Sequence, residues 1–176
     1  MGWKIGLLIT SVVVAAGAVV PAAQAHAEPD AVGEARQVLR STDFDAVLQQ
    51  LQTAGLVEAE RDDAEGHHTV VALGDGLAFD AVQPRDGARL GGGYDAGGHY
   101  VKFNQFDQNL LYNGAGFALG AAICAIPAVG QLACLAVQAI IAVGAAYLAT
   151  IKGTCKNNKQ LKVSFSNNHA ARTGCV

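Results

Sequence analysis

The chain contains little charge and few aromatic side chains, and these absences narrow its possible functions. Charged residues make up 15% of the 176 residues, aromatic residues make up 6%, and the net charge of −3 is not basic. A general nucleic-acid binder is therefore not expected, because such proteins carry an excess of Lys and Arg. The length excludes a large multidomain enzyme. The apolar C-terminal half argues against a fully disordered chain.

Motifs that would support catalysis are also missing. The serines that follow position 27 are Ser41, Ser164 and Ser166, and none of them lies in a G-x-S-x-G elbow. The glycine-rich stretch 83–98 lacks the GxxxxGK[ST] order of a phosphate-binding loop. We therefore expect no catalytic residues, no cofactor and no small-molecule substrate, and we predict that the protein is not an enzyme.

A metal site has little support in the sequence. No C-x2-C pair is present, so four cysteines around a zinc ion are not expected. His67 and His68 could form a surface metal site with their acidic neighbours. Those neighbours are Asp62, Asp63 and Glu65. A solvated loop leading into a strand is the favoured interpretation of this stretch, and no metal is predicted.

The N-terminus has the pattern of an export signal. Lys4 is followed by an uncharged, mostly apolar run over 5–20, and Ala25 and Ala27 form an A-x-A cleavage site before Glu28. An N-terminal membrane anchor is the alternative, but the apolar run is short for a span of about 20 residues. We predict a secreted, extracellular protein.

Charge divides the chain into two regions. Residues 28–100 carry 14 acidic and 5 basic side chains, whereas residues 101–176 carry one acidic and six basic ones. This shift suggests two functional regions. The predicted divisions are a signal peptide (1–27), an acidic region that is a candidate pro-segment (28–82), a Gly-rich linker (83–98) and a cationic domain (99–176). Arg85 and Arg89 in the linker are candidate processing sites.

The acidic region begins with two helical patterns. Apolar residues at helical spacing predict one helix near 31–39 and a second over 44–51. Ser41 or Thr42 is expected to cap the second helix, and Gly55 is placed to end it.

Strand patterns follow the two helices. The polar residues 58–66 predict a loop, and 68–73 and 77–82 predict two strands joined by a tight turn. Alternation over 99–106 and 161–165 predicts two further strands that pair on either side of the intervening segment. The expected class is α+β, with two short amphipathic helices and a β-hairpin before a strand–helical hairpin–strand unit.

The intervening segment is uncharged over 108–151. A Pro-Ala-Val-Gly break divides it into two apolar helices, over 109–126 and 131–151. The second helix is about 31 Å long, which matches a hydrocarbon core of about 30 Å. Gly116 and Gly120 form a GxxxG motif, which permits close approach of two helices.

The cysteines of this exported chain are even in number, which predicts two disulfides. Cys124 and Cys134 lie on either side of the helix–helix break. Cys134 and Cys155 would be about 31 Å apart on one helix, beyond the Cα limit of about 7 Å. We therefore predict the bridges Cys124–Cys134 and Cys155–Cys175.

Two non-enzymatic functions fit these patterns. In the first, the hairpin is membrane-active and inserts into a target bilayer, while the acidic region masks it beforehand. A cationic strand, an apolar helix and a GxxxG motif resemble class II bacteriocins, and this resemblance implies antibacterial activity. The residues expected to contact the membrane or a partner are Lys152, Lys156, Lys159, Lys162, Gly116 and Gly120.

In the alternative, the hairpin is the buried core of a secreted module that binds an extracellular protein or serves a cell-surface structure. Lysines at both ends of the hairpin oppose the positive-inside rule for insertion during synthesis, which favours this alternative. The two functions can be distinguished with a fragment from about Leu90 to Val176. Only the membrane-active function predicts that this fragment permeabilises anionic vesicles.

Overall fold

The computed structural model of the protein describes residues 29–84, 98–165 and 173–176. Over these ranges the chain forms five helices and six strands, and the predicted α+β class is confirmed. In chain order, the elements are α1 (Pro29–Ser41), α2 (Phe44–Thr53), β1 (Val57–Asp62), β2 (Gly66–Gly74), β3 (Leu77–Pro84), β4 (Tyr100–Phe103), α3 (Gln105–Tyr112), α4 (Ala115–Cys124), α5 (Gln131–Ile151), β5 (Leu161–Ser164) and β6 (Gly174–Cys175). The predicted signal peptide, 1–27, and most of the predicted linker, 85–97, lie outside the described residues.

The six strands form one antiparallel sheet in which spatial order follows the chain, β1-β2-β3-β4-β5-β6. The acidic region supplies β1, β2 and β3, and the cationic region supplies the other three. The two regions join where Ala81 of β3 lies opposite Val101 of β4. Val101 also lies opposite Val163 of β5, which confirms the predicted pairing of the strands on either side of the helices.

Helix α5 is the centre of the helical layer that covers one face of this sheet. It packs against α1 and α2 from the acidic region, against α3 and α4, and against β5. Its buried residues include Val137, Ile140 and Ile141, which share one apolar core with Phe79 and Phe103 of the strands. Burial of apolar surface is the main stabilising contribution to folding, so both regions depend on the same core.

Helix α2 buries the four apolar residues that predict it. Its N-cap is Asp43, whose carboxylate accepts hydrogen bonds from two N–H groups of the first turn. The predicted caps are wrong, because the hydroxyls of Ser41 and Thr42 donate to a carbonyl of α1 instead. Gly55 follows the helix at a φ of +73°, the left-handed conformation that suits glycine, as predicted.

Strand β1 corrects the expectation of a loop over 58–66. The polar stretch forms an edge strand, Val57–Asp62, which pairs with β2. Its side chains after Val57 are exposed on both faces. Because an exposed edge strand needs no alternation of apolar and polar residues, its sequence resembles a loop.

The first apolar segment forms two short helices rather than the single helix predicted over 109–126. Asn104 begins α3 with a capping box, in which its side chain accepts from the Asp107 N–H and the Asp107 carboxylate accepts from the Asn104 N–H. This cap ends β4 at Phe103, so the strand predicted to reach 106 is shorter than expected. Gly114, at a φ of +84°, separates α3 from α4. Helix α5 has the predicted bounds.

Candidate functional site

The lysines predicted to contact a membrane or a partner do not share one environment. Lys152, Lys156 and Lys159 are exposed in the loop between α5 and β5. Lys162 is only 4% exposed, and its ammonium lies 4.3 Å from the ring centre of Tyr100 on the sheet face away from the helices. The exposed cations of this group are therefore concentrated in one loop.

The backbone of that loop is fixed at both its start and its middle. Lys152 ends α5 in the left-handed conformation, and the Gly153 N–H donates to the Leu148 carbonyl. Asn157 and Asn158 also have positive φ angles, which asparagine tolerates better than most residues do. The loop therefore turns sharply twice between α5 and β5.

Two glutamines of α3 bind the loop. Gln108 is fully buried; its Oε1 accepts from the Cys155 N–H at 2.8 Å, and its Nε2 donates to the Lys159 carbonyl at 3.0 Å. Gln105 Nε2 donates to the Cys155 and Lys159 carbonyls at 2.6 and 2.9 Å. The buried amide of Gln108 fixes the backbone it contacts, and the half-buried Gln105 holds the same two residues from the edge of the loop. No sequence motif marks these two glutamines.

The two disulfides confirm the predicted pairing and lie at opposite ends of α5. Cys124–Cys134 closes the turn between α4 and α5, with a Cα–Cα distance of 4.9 Å. Cys155–Cys175 joins the loop after α5 to β6, with a Cα–Cα distance of 5.6 Å. The loop that carries the exposed lysines is therefore crosslinked as well as hydrogen-bonded.

Exposed apolar side chains border the same loop. Phe106, Ile151 and Val176 are 56%, 40% and 52% exposed. Ile151 is the last residue of α5 and precedes Lys152, whereas the ring of Phe106 lies away from the loop, beside Gly76 in the β2–β3 turn. Val176 pairs with Gln160 of the loop through two backbone hydrogen bonds. We call the three exposed lysines, together with Ile151 and Val176, the basic platform.

The basic platform is positively charged because the surrounding sequence lacks acids. No Asp or Glu follows Asp107 in the sequence. Within the described ranges, none of the three platform lysines forms an ion pair. Lys102, by contrast, is paired with Glu65 on the sheet. The platform lysines are therefore available to an external anion.

The GxxxG motif serves packing inside this chain. A Cβ atom added at Gly116 would lie 2.6 Å from Leu111 Cδ2, and one added at Gly120 would lie 2.7 Å from Ile141 Cδ1. Both distances are shorter than a real Cβ contact, so glycine allows α4 to approach its neighbours without displacing the ends of these two side chains. Of the described helices, α5 alone is long and apolar enough to cross a bilayer by length and composition, and half of its most apolar stretch is buried inside the molecule.

A second polar cluster lies on the sheet face away from the helices. His68 is 1% exposed, and its Nε2 and Nδ1 atoms each lie 2.9 Å from a carboxylate, those of Asp63 and Asp80. Arg61 Nη2 donates to Asp80 Oδ2 at 2.5 Å. The pKa of the Asp63 carboxyl is lowered, mainly by the hydrogen bond from the Glu65 N–H and further by His68. The cluster connects the β1–β2 turn to β3.

This cluster differs from the metal site considered from the sequence. His67 and His68 point to opposite faces of β2, because successive strand side chains alternate. Within the described ranges, no group of three or more His, Cys, Asp or Glu side chains is arranged to hold a metal ion. The sequence signal for the cluster is Asp80, which is the single charged residue of β3.

A cleft of about 210 Å³ lies between α2 and the sheet. Its lining residues are Asp45, Leu48, Gln49, Gln52, Val57, Glu60, His67, Thr69 and Gln83. The volume is below the roughly 300–1,000 Å³ of small-molecule sites. The Gln83 amide also donates to the Asp45 carboxylate at 2.5 Å across it. The cleft is therefore a weaker candidate than the basic platform.

Comparison of the chain with protein-family models, curated proteins and solved structures finds no match. The functional assignment therefore depends on the geometry of the fold and of the basic platform. The predicted cleavage residues Ala25, Ala27 and Glu28 and the candidate processing sites Arg85 and Arg89 lie outside the described residues.

Proposed function

We propose that the protein is a secreted, non-enzymatic binding module whose apolar helical hairpin is its core and whose basic platform contacts an anionic partner. One observation carries this proposal: α5 packs at the centre of the fold, against helices from both charge regions. The secretory pattern of residues 1–27 supports export. The two disulfides are compatible with an extracellular protein.

The packing around α5 supports a core helix over an inserting one. A Cβ atom at Gly144 of α5 would contact Leu111 of α3 and Leu161 of β5 at 3.4 Å, so these elements lie close to the helix backbone. Insertion into lipid would break such contacts. The gain in apolar burial would be limited to the other half of the most apolar stretch of α5, because half of that stretch is already buried.

Membrane insertion is the competing function, and the length and hydropathy of α5 favour it. Its most apolar stretch has a mean hydropathy of 2.2, and the helix has 21 residues. Insertion would require α1 and α2 to separate from α5. The two functions therefore differ in one measurable property, which is whether α5 remains covered when a membrane is present.

Hydrogen exchange of the oxidised, full mature chain tests this difference. We expect the amides of α5 to exchange among the slowest in the chain, and to keep that protection when vesicles containing phosphatidylglycerol are added. A dye-release assay on the same vesicles is expected to show no leakage. Loss of α5 protection together with dye release would contradict the core assignment and favour the bacteriocin-like function.

Export is tested by the intact mass of the protein recovered from culture medium. We expect a chain that begins at Glu28 and carries the two disulfides. A mass that retains residues 1–27 would contradict cleavage and favour an N-terminal anchor. A second truncation after Arg85 or Arg89 would support the candidate pro-segment.

A further inference from the structure

We infer that the basic platform docks the folded protein on the surface of an anionic lipid bilayer. This inference rests on the proposed function, because it requires the hairpin to remain in its core while the platform makes the contact. Two properties of the platform support a bilayer as the partner. They are lysines that form no ion pair among the described residues, and exposed apolar side chains at their border.

The cations of the platform suit phosphate headgroups better than an acidic protein. Lys152, Lys156 and Lys159 are all lysines, and no acidic residue follows Asp107 in the sequence. Lysine is depleted in protein–protein interfaces, whereas arginine, with its planar bidentate donors, is enriched there. Clustered lysines are instead typical of segments that bind anionic lipid.

The apolar side chains of the platform suit the boundary below the headgroups. Ile151 ends α5 and Val176 follows β6, and both are exposed beside the lysine loop. In interfacial membrane-binding surfaces, lysines contact headgroups while neighbouring apolar side chains enter the boundary with the acyl chains. This contact needs no movement of α5.

The platform is ordered before any partner binds. The Cys155–Cys175 bridge crosslinks its loop, and Gln105 and Gln108 hold the loop backbone. Binding to a preformed surface does not have to order the loop, which preserves affinity. The lysine positions are therefore fixed relative to the apolar side chains.

Vesicle sedimentation of the full mature chain tests the inference. Vesicles of phosphatidylcholine alone are compared with vesicles that also contain phosphatidylglycerol. We expect binding to the anionic vesicles only, and weaker binding at high salt, because salt screens the attraction between lysines and headgroups. The double variant Lys156→Gln, Lys159→Gln is expected to bind about 25-fold more weakly, at about five-fold for each lysine.

Two further variants separate the contributions of net charge and of apolar contact to vesicle binding. Arg36→Gln with Arg40→Gln removes the same charge from exposed positions of α1 and is expected to change binding less than about two-fold. Ile151→Gln is expected to weaken binding about five-fold or more without changing its dependence on salt, because it removes apolar contact only.

Absence of binding by the oxidised, folded chain would overturn the inference. An equal loss in the α1 variant would also overturn it, because it would show a response to net charge alone. Hydrogen exchange of α5 distinguishes this failure from that of the proposed function. If α5 stays protected and the chain does not bind, only the docking inference fails. If α5 loses protection on the vesicles, the proposed function fails.

Discussion

The acidic and cationic regions pair in one sheet but are stabilised in different ways. Each region supplies three strands. The acidic region contains no cysteine and is held by packing of α1 and α2 on α5. Both disulfides lie in the cationic region. Crosslinks therefore stabilise one region, while the other depends on the shared core.

This comparison shows that charge and core divide the chain at different places. The sign of the charge changes near residue 100, yet β3 pairs with β4 across that change. Removal of residues 28–82 as a pro-segment would remove β1, β2 and most of β3, and would uncover the side of α5 that α1 and α2 contact. The role of the acidic region as a pro-segment stays a prediction.

The largest expected effect on stability comes from a substitution that weakens the packing of the acidic region on the core. Leu51 is fully buried in α2, and Leu51→Ala is expected to lower the free energy of unfolding by about 3–4 kcal/mol. Because the core is shared, denaturant unfolding followed by circular dichroism should remain a single transition. The exposed neighbour Gln52→Ala is the control and should change stability by less than about 0.5 kcal/mol. Two separate transitions would show that the regions fold independently.

The second prediction removes a crosslink from the cationic region. Cys155→Ser with Cys175→Ser is expected to cost about 3 kcal/mol, since the bridge closes a separation of 20 residues. The matched variant Cys124→Ser, Cys134→Ser removes the bridge that closes a separation of 10 residues. Its loss of stability should be about 0.6 kcal/mol smaller. Guanidinium unfolding under oxidising conditions measures both. A larger loss from the shorter bridge would contradict the loop-entropy explanation.

The third prediction concerns Asp107, which binds elements of both regions. Its carboxylate accepts from the Ala78 N–H of β3 and from the Asn104 N–H at the start of α3. Asp107→Asn keeps one acceptor and places an amide donor against the other N–H, so it should destabilise the fold by about 1–2 kcal/mol. The exposed turn variant Asp75→Asn is the control and should have little effect.

The pH dependence of the Asp107 effect has a defined sign. Burial raises the pKa of this carboxyl above its ordinary value of 3.8, although the two N–H donors act in the opposite direction. The folded chain therefore holds the Asp107 proton to a higher pH than the unfolded chain does. This contribution to stability is present below the unfolded pKa and is lost as pH rises through the folded pKa. As pH rises from the unfolded pKa to the folded pKa of Asp107, the stability difference between the protein and the Asp107→Asn variant should become smaller. A difference that becomes larger would contradict the effect of burial on this pKa.

The smallest predicted effect is a gain in the free energy of unfolding. Gly33 lies in α1, and a Cβ atom added there would contact nothing within 4 Å. Gly33→Ala is expected to raise the free energy of unfolding by about 0.5–1 kcal/mol, because alanine has less conformational freedom to lose in a helix. Gly120→Ala in α4 is the contrast, since its Cβ would displace Ile141 and should cancel the gain. Thermal melts of both variants measure the difference.

The sequence predicted the elements that have a clear local signal. The bounds of α5 follow from an uncharged run and its Pro-Ala-Val-Gly break, and the burial of Leu51 and its partners follows from helical spacing. Both disulfides follow from the even number of cysteines and the length of α5, and all these predictions are confirmed. Strand β1 escaped prediction because an exposed edge needs no apolar alternation. The early start of α3 depends on Asn104 and Asp107 capping each other, which competes with continuation of β4.

The basic platform could be predicted only in part. Its lysines stand out in the sequence because no acidic residue lies near them. Lys162 is buried on β5, where Lys102 lies opposite it and its ammonium lies over the ring of Tyr100, and no local pattern separates it from the exposed lysines. The support from Gln108 depends on a tertiary contact between α3 and the loop, which no local pattern encodes.

The position of the helices between β4 and β5 has a consequence for the order of folding. Pairing of Val101 with Val163 closes a long loop of the chain that contains α3, α4 and α5. The Cys124–Cys134 bridge is local to the α4–α5 turn, so it can form before that closure. Pairing of strands so distant in sequence is slow, because the loop must close before its contacts are gained. The acidic region is synthesised first, and α1 and α2 are then available to shield α5 from aggregation until the sheet is complete.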